Sequence, residues 1–113
     1  MEGEANRERA MSNLYDSDHI KKLAPVGAGA PEAWNTFLAF DKAALADGAI
    51  PKKYKELMAL AVGLTTQCPY CLVLHKAAAV KAGATPEEIS ETVFIAAALR
   101  AGAAVTHGTH LVE

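Results

Sequence analysis

Hydrophobic residues recur at helical spacing in four successive segments of the chain. The segments run from Pro31 to about Gly48, from Pro51 to about Thr66, from Cys68 to Ala82, and from Ile89 to about Ala101. Within each segment, apolar residues three and four positions apart fall on one face of a helix. Prolines mark the starts and glycines several of the ends, as helix boundaries require. Together with abundant alanine, this pattern predicts an all-α fold.

The second and third segments are separated by a single residue, Gln67. We therefore expect them to form an antiparallel helix pair at the centre of the fold. The third segment starts with a Cys-x-x-Cys motif, in which Pro69 is tolerated because a first helical turn needs no intrahelical donor. On this helix Cys68, Cys71 and His75 lie at positions i, i+3 and i+7 and share one face.

This placement has two chemical consequences. Free backbone N–H groups at a helix start favour a thiolate, and a neighbouring imidazole can accept the thiol proton. Cysteines three residues apart in a first turn also have Cα atoms roughly 5 to 6 Å apart, within the range that a disulfide requires. The motif therefore predicts a dithiol that can be oxidised and reduced.

Glu56 is the fourth candidate residue. If the helix pair folds tightly near Gln67, Glu56 falls about one turn, or roughly 5 Å, beyond His75 along the axis. A carboxylate there would fix the imidazole tautomer. Structural alternatives stay open: Glu56 could pair with Lys52 on a solvated helix edge, His75 could be a core histidine, and each cysteine a small buried hydrophobe.

The candidate residues form a spaced pattern: Glu56, eleven residues, Cys68-Pro69-Tyr70-Cys71, three residues and His75. This pattern resembles the signature of the alkylhydroperoxidase D (AhpD)-like branch of the carboxymuconolactone decarboxylase family. The likeness extends from Pro31 to about Ala104. It implies an AhpD-like helical bundle, a single domain whose central antiparallel helix pair carries the Cys-x-x-Cys motif. It also implies assembly into trimers or hexamers.

Carried over to this chain, the resemblance makes Cys71 the thiol that attacks peroxide and Cys68 its resolving partner. His75 and Glu56 would form a proton relay to Cys71. Where peroxidases of this branch carry a histidine next to the second cysteine, this chain has Tyr70, which leaves the reaction and its rate open.

The leading hypothesis is a thiol-dependent, alkylhydroperoxidase-like redox enzyme with peroxiredoxin-type antioxidant activity on hydroperoxides or disulfides. An external dithiol, a lipoyl group or a thioredoxin-like protein by family analogy, would reduce it. No flavin, haem or nicotinamide motif is visible, so no cofactor is expected. An alternative is a structural or sensory zinc site that combines Cys68 and Cys71 with histidines such as His107 and His110. A decarboxylating lyase is a weaker alternative, because that branch does not use the cysteine pair.

Length and charge bound the remaining possibilities. Residues 1–30 are expected to form an N-terminal arm and a Pro/Gly linker with some helix, and residues 31–113 the AhpD-like domain. A net charge of -2 without a basic stripe argues against nucleic acid and anionic membranes. No apolar run of transmembrane length and no signal peptide is expected, so the predicted location is cytoplasmic. Helices this apolar need cover, which predicts a homo-oligomer.

Overall fold

The structure, a computed structural model, describes Gly3 and residues 16–113. The elements in chain order are a 3-10 helix Ser17–Lys22, α1 Leu23–Gly29, α2 Pro31–Leu45, α3 Lys52–Thr66, α4 Pro69–Lys81, α5 Pro86–His107 and a 3-10 helix Gly108–Leu111. The described residues contain no strand. The all-α prediction is confirmed, and the boundaries of α2, α3 and α4 fall within a few residues of those expected.

The chain divides into two compact units, residues 1–41 and 42–113. In the first, the Pro/Gly linker expected before Pro31 is largely helical, because α1 occupies Leu23–Gly29. Pro25 lies in the first turn of α1, where no intrahelical donor is lost. Gly27 lets Trp34 pack closely, since a Cβ there would come within 2.5 Å of the indole ring. The predicted arm over residues 1–15 lies outside the described residues apart from Gly3.

In the second unit, α4 and α5 both pack against α3. The hairpin of α3 and α4 turns at Gln67, which adopts the left-handed conformation with φ 56°. The amide of Cys68 then donates to the carbonyl of Gly63 at 2.9 Å and closes the turn. The expected antiparallel pair is confirmed. The buried apolar core of this second unit consists of Leu57, Leu60, Ala79 and Ala84, with Leu72 and Ile89 packed against it.

At both ends of α3, backbone groups form hydrogen bonds with side chains from elsewhere in the chain. Pro51 cannot cap the N-terminus with its side chain, and Asp47 Oδ1 instead accepts the amide of Lys52 at 2.8 Å. At the other end, Arg100 of α5 donates to the carbonyl of Thr65. This cation occupies the negative end of the helix dipole and links α5 to α3.

Helix α5 starts at a capping box. Thr85 Oγ1 accepts the Glu88 amide at 3.1 Å, while the Glu88 carboxylate accepts the Thr85 amide at 2.9 Å. The helix continues through Gly102 to His107. Thr92 and Ala96 are buried, whereas large apolar side chains including Phe94, 73% exposed, face outward.

The length of this last segment corrects one expectation. Pro86–Leu111 spans 26 residues and has a mean hydropathy of 1.3, so by length and composition alone it could cross a membrane. The expectation that no apolar segment reaches that length is therefore wrong. Length and composition alone are weak evidence for insertion, because helices of soluble proteins also pass this test.

Gly63 allows α3 and α4 to approach closely. A Cβ on this buried glycine would lie 3.3 Å from both the Cβ of Cys71 and Cδ2 of Leu72. The first of these atoms is fixed to the backbone of α4, so the helix itself would have to move.

Gly63→Ala is therefore expected to lower the free energy of unfolding by about 1–3 kcal/mol, the usual cost of overpacking. Gly102→Ala is the matched control, because Gly102 also lies inside a helix but a Cβ there meets nothing within 4 Å. It should raise stability by up to about 1 kcal/mol through helix propensity. Urea unfolding followed by circular dichroism measures both, and a Gly63→Ala protein as stable as the parent would contradict the tight approach.

Candidate functional site

The two cysteines lie at the start of α4 and form a disulfide. Cys68 is the N-cap residue of the helix, and the Cα atoms of Cys68 and Cys71 are 5.3 Å apart. The predicted pairing is thus confirmed. The amide of Cys71 donates to Cys68 Sγ at 3.3 Å, so that sulfur occupies the positive end of the helix dipole. Both cysteines are half-buried, which leaves the disulfide open to a small reductant.

Glu56 and His75 join α3 to α4. His75 Nδ1 lies 2.7 Å from Glu56 Oε2, so the predicted alignment of imidazole and carboxylate is confirmed. An ionised carboxylate can only accept, which places the hydrogen on Nδ1 and leaves Nε2 with its lone pair. His75 follows Cys71 by one helical turn, and its side chain is 22% exposed. The imidazole therefore has one nitrogen held by the protein and one available as a base.

Glu56 is buried, with only 3% of its side chain exposed. Lys52 Nζ donates to Oε1 at 2.9 Å, and His75 holds Oε2. Burial by itself raises the pKa of Glu56, but the hydrogen bonds from His75 and Lys52 and their positive charges together lower that pKa below its usual value of 4.5. Glu56 is accordingly a charged group at neutral pH despite its burial.

The alternative pairing of Glu56 with Lys52 is also present, but on a buried carboxylate and not on a solvated edge. The two explanations for Glu56 are therefore compatible. The sequence interpretation did not include Lys52 among the site residues, although its i, i+4 spacing to Glu56 was the available signal. Gly63, which sets the distance between α3 and α4, was also missed.

The described residues do not bring a ligand set together for the zinc alternative. Among the described residues, no three histidine, cysteine, aspartate or glutamate side chains cluster in a way that could hold a metal ion. His107 and His110 contact each other at the C-terminal end of α5, with ring centroids 4.8 Å apart. Cys68 and Cys71 are bonded to each other.

An apolar cavity of about 140 Å³ lies among α3, α4 and α5. It is lined by Leu60, Leu64, Leu72, Ile89 and Val93, with Lys76 and Thr92. Leu72 follows Cys71 in sequence, and a Cβ placed on Gly63 would contact both residues. An apolar group bound in this cavity would thus lie beside the cysteine helix.

An all-helical fold with a Glu-x11-Cys-x2-Cys-x3-His site in its central hairpin defines the AhpD-like class of proteins. The sequence profile of the carboxymuconolactone decarboxylase family matches residues 31–113. The chain belongs to this family, and the resemblance noted in the sequence is confirmed.

The chain is also similar to two relatives and to two solved structures. The chain is 48% identical over 73 residues to "uncharacterized protein 4 in cox locus" of Paracoccus denitrificans, covering 65% of this chain. It is 32% identical over 75 residues to an uncharacterized protein of Cupriavidus necator, covering 66% of this chain. Each match spans 66% of the relative's own length.

The crystal structure of an apo carboxymuconolactone decarboxylase family protein from Legionella pneumophila is 39% identical, with a TM-score of 0.68 over 73% of each chain. A protein from Methanobacterium thermoautotrophicum is 27% identical, with a TM-score of 0.74 over 80% of this chain and 98% of its own. The shared fold therefore extends over most of the described residues.

Glu56 couples stability to pH. Because its pKa is lower in the folded protein than the usual 4.5, the unfolded chain takes up this proton first as the pH falls. The stability that Glu56 contributes is therefore fully present above that value and is lost as the pH falls through the lower, folded-state pKa.

Glu56→Gln is expected to lower the free energy of unfolding at neutral pH by about 1.5–3 kcal/mol, because hydrogen bonds to a charged group are lost. It should also flatten the decline of stability on acidification. Both effects are measured by urea unfolding at neutral pH and at a pH about one unit below 4.5, the usual pKa of a glutamate. Glu113→Gln, an exposed change beyond α5, is the control and should leave the pH dependence as it is. Equal acid sensitivity in the parent and in Glu56→Gln would rule out the coupling.

Proposed function

We propose that this protein is a thiol-dependent, alkylhydroperoxidase-like redox enzyme that cycles between a Cys68–Cys71 disulfide and the dithiol. The supporting observation is the disulfide at a helix N-terminus, one turn from an imidazole held by a buried carboxylate. Family membership supports the class of protein, and the reaction is inferred from the chemistry of these four residues.

In the reduced enzyme, His75 Nε2 takes the proton of Cys71, while Glu56 keeps Nδ1 protonated and stabilises the resulting imidazolium. The Cys71 thiolate attacks the terminal oxygen of a hydroperoxide. The O–O bond breaks, an alkoxide leaves and takes up a proton, and Cys71 becomes a sulfenic acid.

Cys68 completes the oxidative half of the cycle. Its thiol attacks the Cys71 sulfur, water leaves, and the disulfide seen in the structure forms. An external dithiol, such as a lipoyl group or a thioredoxin-like protein, then reduces the disulfide by exchange. Two electrons pass from that dithiol to the peroxide, and no metal or organic cofactor enters the cycle. Such a supply of dithiol fits a cytoplasmic protein.

The apolar cavity beside α4 favours organic hydroperoxides over hydrogen peroxide. Its wall includes Leu72, the residue after Cys71, which supports an apolar binding region on the cysteine helix. Tyr70 stands between the cysteines, where peroxidases of this branch have a histidine. We expect the rate therefore to depend on His75 as the base.

Two cysteine variants test this mechanism by their different outcomes. Cys71→Ser should abolish the consumption of cumene hydroperoxide with a dithiol donor, because the attacking sulfur is gone. Cys68→Ser should allow one stoichiometric oxidation to a sulfenic acid, detected by mass spectrometry after trapping with dimedone. His75→Gln should slow the oxidation about 100-fold or more. Full peroxide consumption by Cys71→Ser would refute the proposal.

We also propose that the enzyme is a homo-oligomer, a trimer or hexamer, in which the outer face of α5 is covered by other subunits. This face carries large exposed side chains: Phe94, Ile95, Leu99 and Val105. Subunit contact explains the exposure better than a membrane, because Arg100 in the middle of the segment binds α3 and Glu91 lies exposed on it.

Light scattering should therefore give a mass three or six times the 11.9 kDa of one chain. Phe94→Glu is expected to reduce that mass towards one subunit, because a charge would be buried in the contact. Val112→Glu makes the same kind of change at a residue that is 77% exposed beyond α5, and it should keep the parent's mass. A monomeric parent protein at micromolar concentration would disprove the assembly.

A further inference from the structure

Lys52 binds both the end of α2 and the carboxylate of the site. Its Nζ donates to Glu56 Oε1 at 2.9 Å and to the carbonyl of Leu45 at 3.1 Å. Glu56 Oε2 is engaged by His75 at 2.7 Å. Each carboxylate oxygen therefore has its own partner, and the ammonium is itself held by a backbone carbonyl.

Burial gives this ion pair more weight than a surface pair. The Glu56 side chain is 3% exposed, whereas that of Lys52 is 47% exposed. Water readily solvates the lysine but has little access to the carboxylate. Without the ammonium, Glu56 Oε1 would lose its hydrogen bond in a buried place, and the carboxylate could turn away from His75 or take up a proton.

We propose that Lys52 is a positioning residue of the proton relay: it keeps Glu56 ionised and oriented, so that His75 keeps its hydrogen on Nδ1 and offers Nε2 to Cys71. This inference rests on the proposed function for its kinetic consequence, but the orientation of His75 can be measured independently.

The charged groups that act on Glu56 are Lys52 on α3 and His75 on α4. On α5, the third helix of this unit, Glu88 is paired with Lys53 at 3.0 Å. Removing Lys52 would raise the pKa of Glu56, because a positive charge and a hydrogen bond to the ionised form are lost. The acid limb of the pH–rate profile would then move to higher pH.

Lys55 provides a matched control. Its Nζ binds the carbonyls of Ala44 at 3.0 Å and Ala46 at 2.7 Å. It therefore has the same charge as Lys52, lies on the same helix and holds the same segment, but its side chain has no hydrogen bond to Glu56. An effect confined to Lys52 cannot be attributed to loss of contact with the end of α2.

The kinetic test uses reduced full-length protein and cumene hydroperoxide in single turnover, followed by mass spectrometry across pH. Lys52→Met is expected to slow Cys71 oxidation about 10- to 100-fold, the range typical of partners that orient a functional group. Its acid limb should lie at higher pH. Lys52→Arg should recover most of the rate, and Lys55→Met should stay within about twofold of the parent, since Lys55 has no hydrogen bond to Glu56.

Nitrogen-15 spectra of the His75 ring provide the independent readout. The parent and Lys55→Met should show the hydrogen on Nδ1, while Lys52→Met should show a mixture of tautomers. If the parent protein does not react with peroxide, the proposed function fails and these spectra still decide the role of Lys52. If Lys52→Met and Lys55→Met show the same tautomer and equal rates, Lys52 only anchors the end of α2 and the inference is overturned.

Discussion

The hydrogen bond between Glu56 and His75 places a buried negative charge between the two central helices. A charge removed from water must be matched by partners of fixed geometry, or it is neutralised. Lys52 and His75 together meet that requirement, one at each oxygen. The arrangement of the site is therefore also a requirement for packing α3 against α4, and the proposed chemistry and the stability of the hairpin involve the same three side chains.

The helix ends around this pair are arranged to keep α3 in position. Asp47 supplies the cap that Pro51 cannot, and Arg100 satisfies a carbonyl at the other end. Gly63 removes the side chain that would keep α4 away, and Gln67 takes the left-handed conformation that a short hairpin needs. Gly63 and Gln67 thus set the separation and register of α3 and α4, and through them the distance from Glu56 to His75.

Much of this arrangement could be predicted from the sequence, because its causes are local. Proline at helix starts, the capping box of α5 and the spacing of Cys68, Cys71 and His75 all follow from rules that act within one or two turns. The contact of Glu56 with His75 required only the further assumption of a tight turn at Gln67. Their roles in catalysis are predictions.

What could not be predicted depends on packing. Proline and glycine in residues 24–30 suggested a linker, yet Gly27 faces Trp34 and the segment forms α1. Whether Glu56 is solvated or buried is decided by the helices around it and not by its neighbours in sequence. The same holds for His107 and His110, which lie at the end of α5 and in the 3-10 helix after it, in no cluster with a third metal ligand among the described residues.

The short hairpin has a consequence for how the protein folds. All the side chains of the site lie within one stretch of 24 residues: Lys52, Glu56, Cys68, Cys71 and His75. The contact between Glu56 and His75 joins residues 19 positions apart and is the farthest in sequence within the site. Bringing such close neighbours together costs little loop-closure entropy, and contacts of this kind form early because rates rise with the locality of native contacts. We expect the hairpin to act as a folding nucleus, with α5 docking on a surface that already exists.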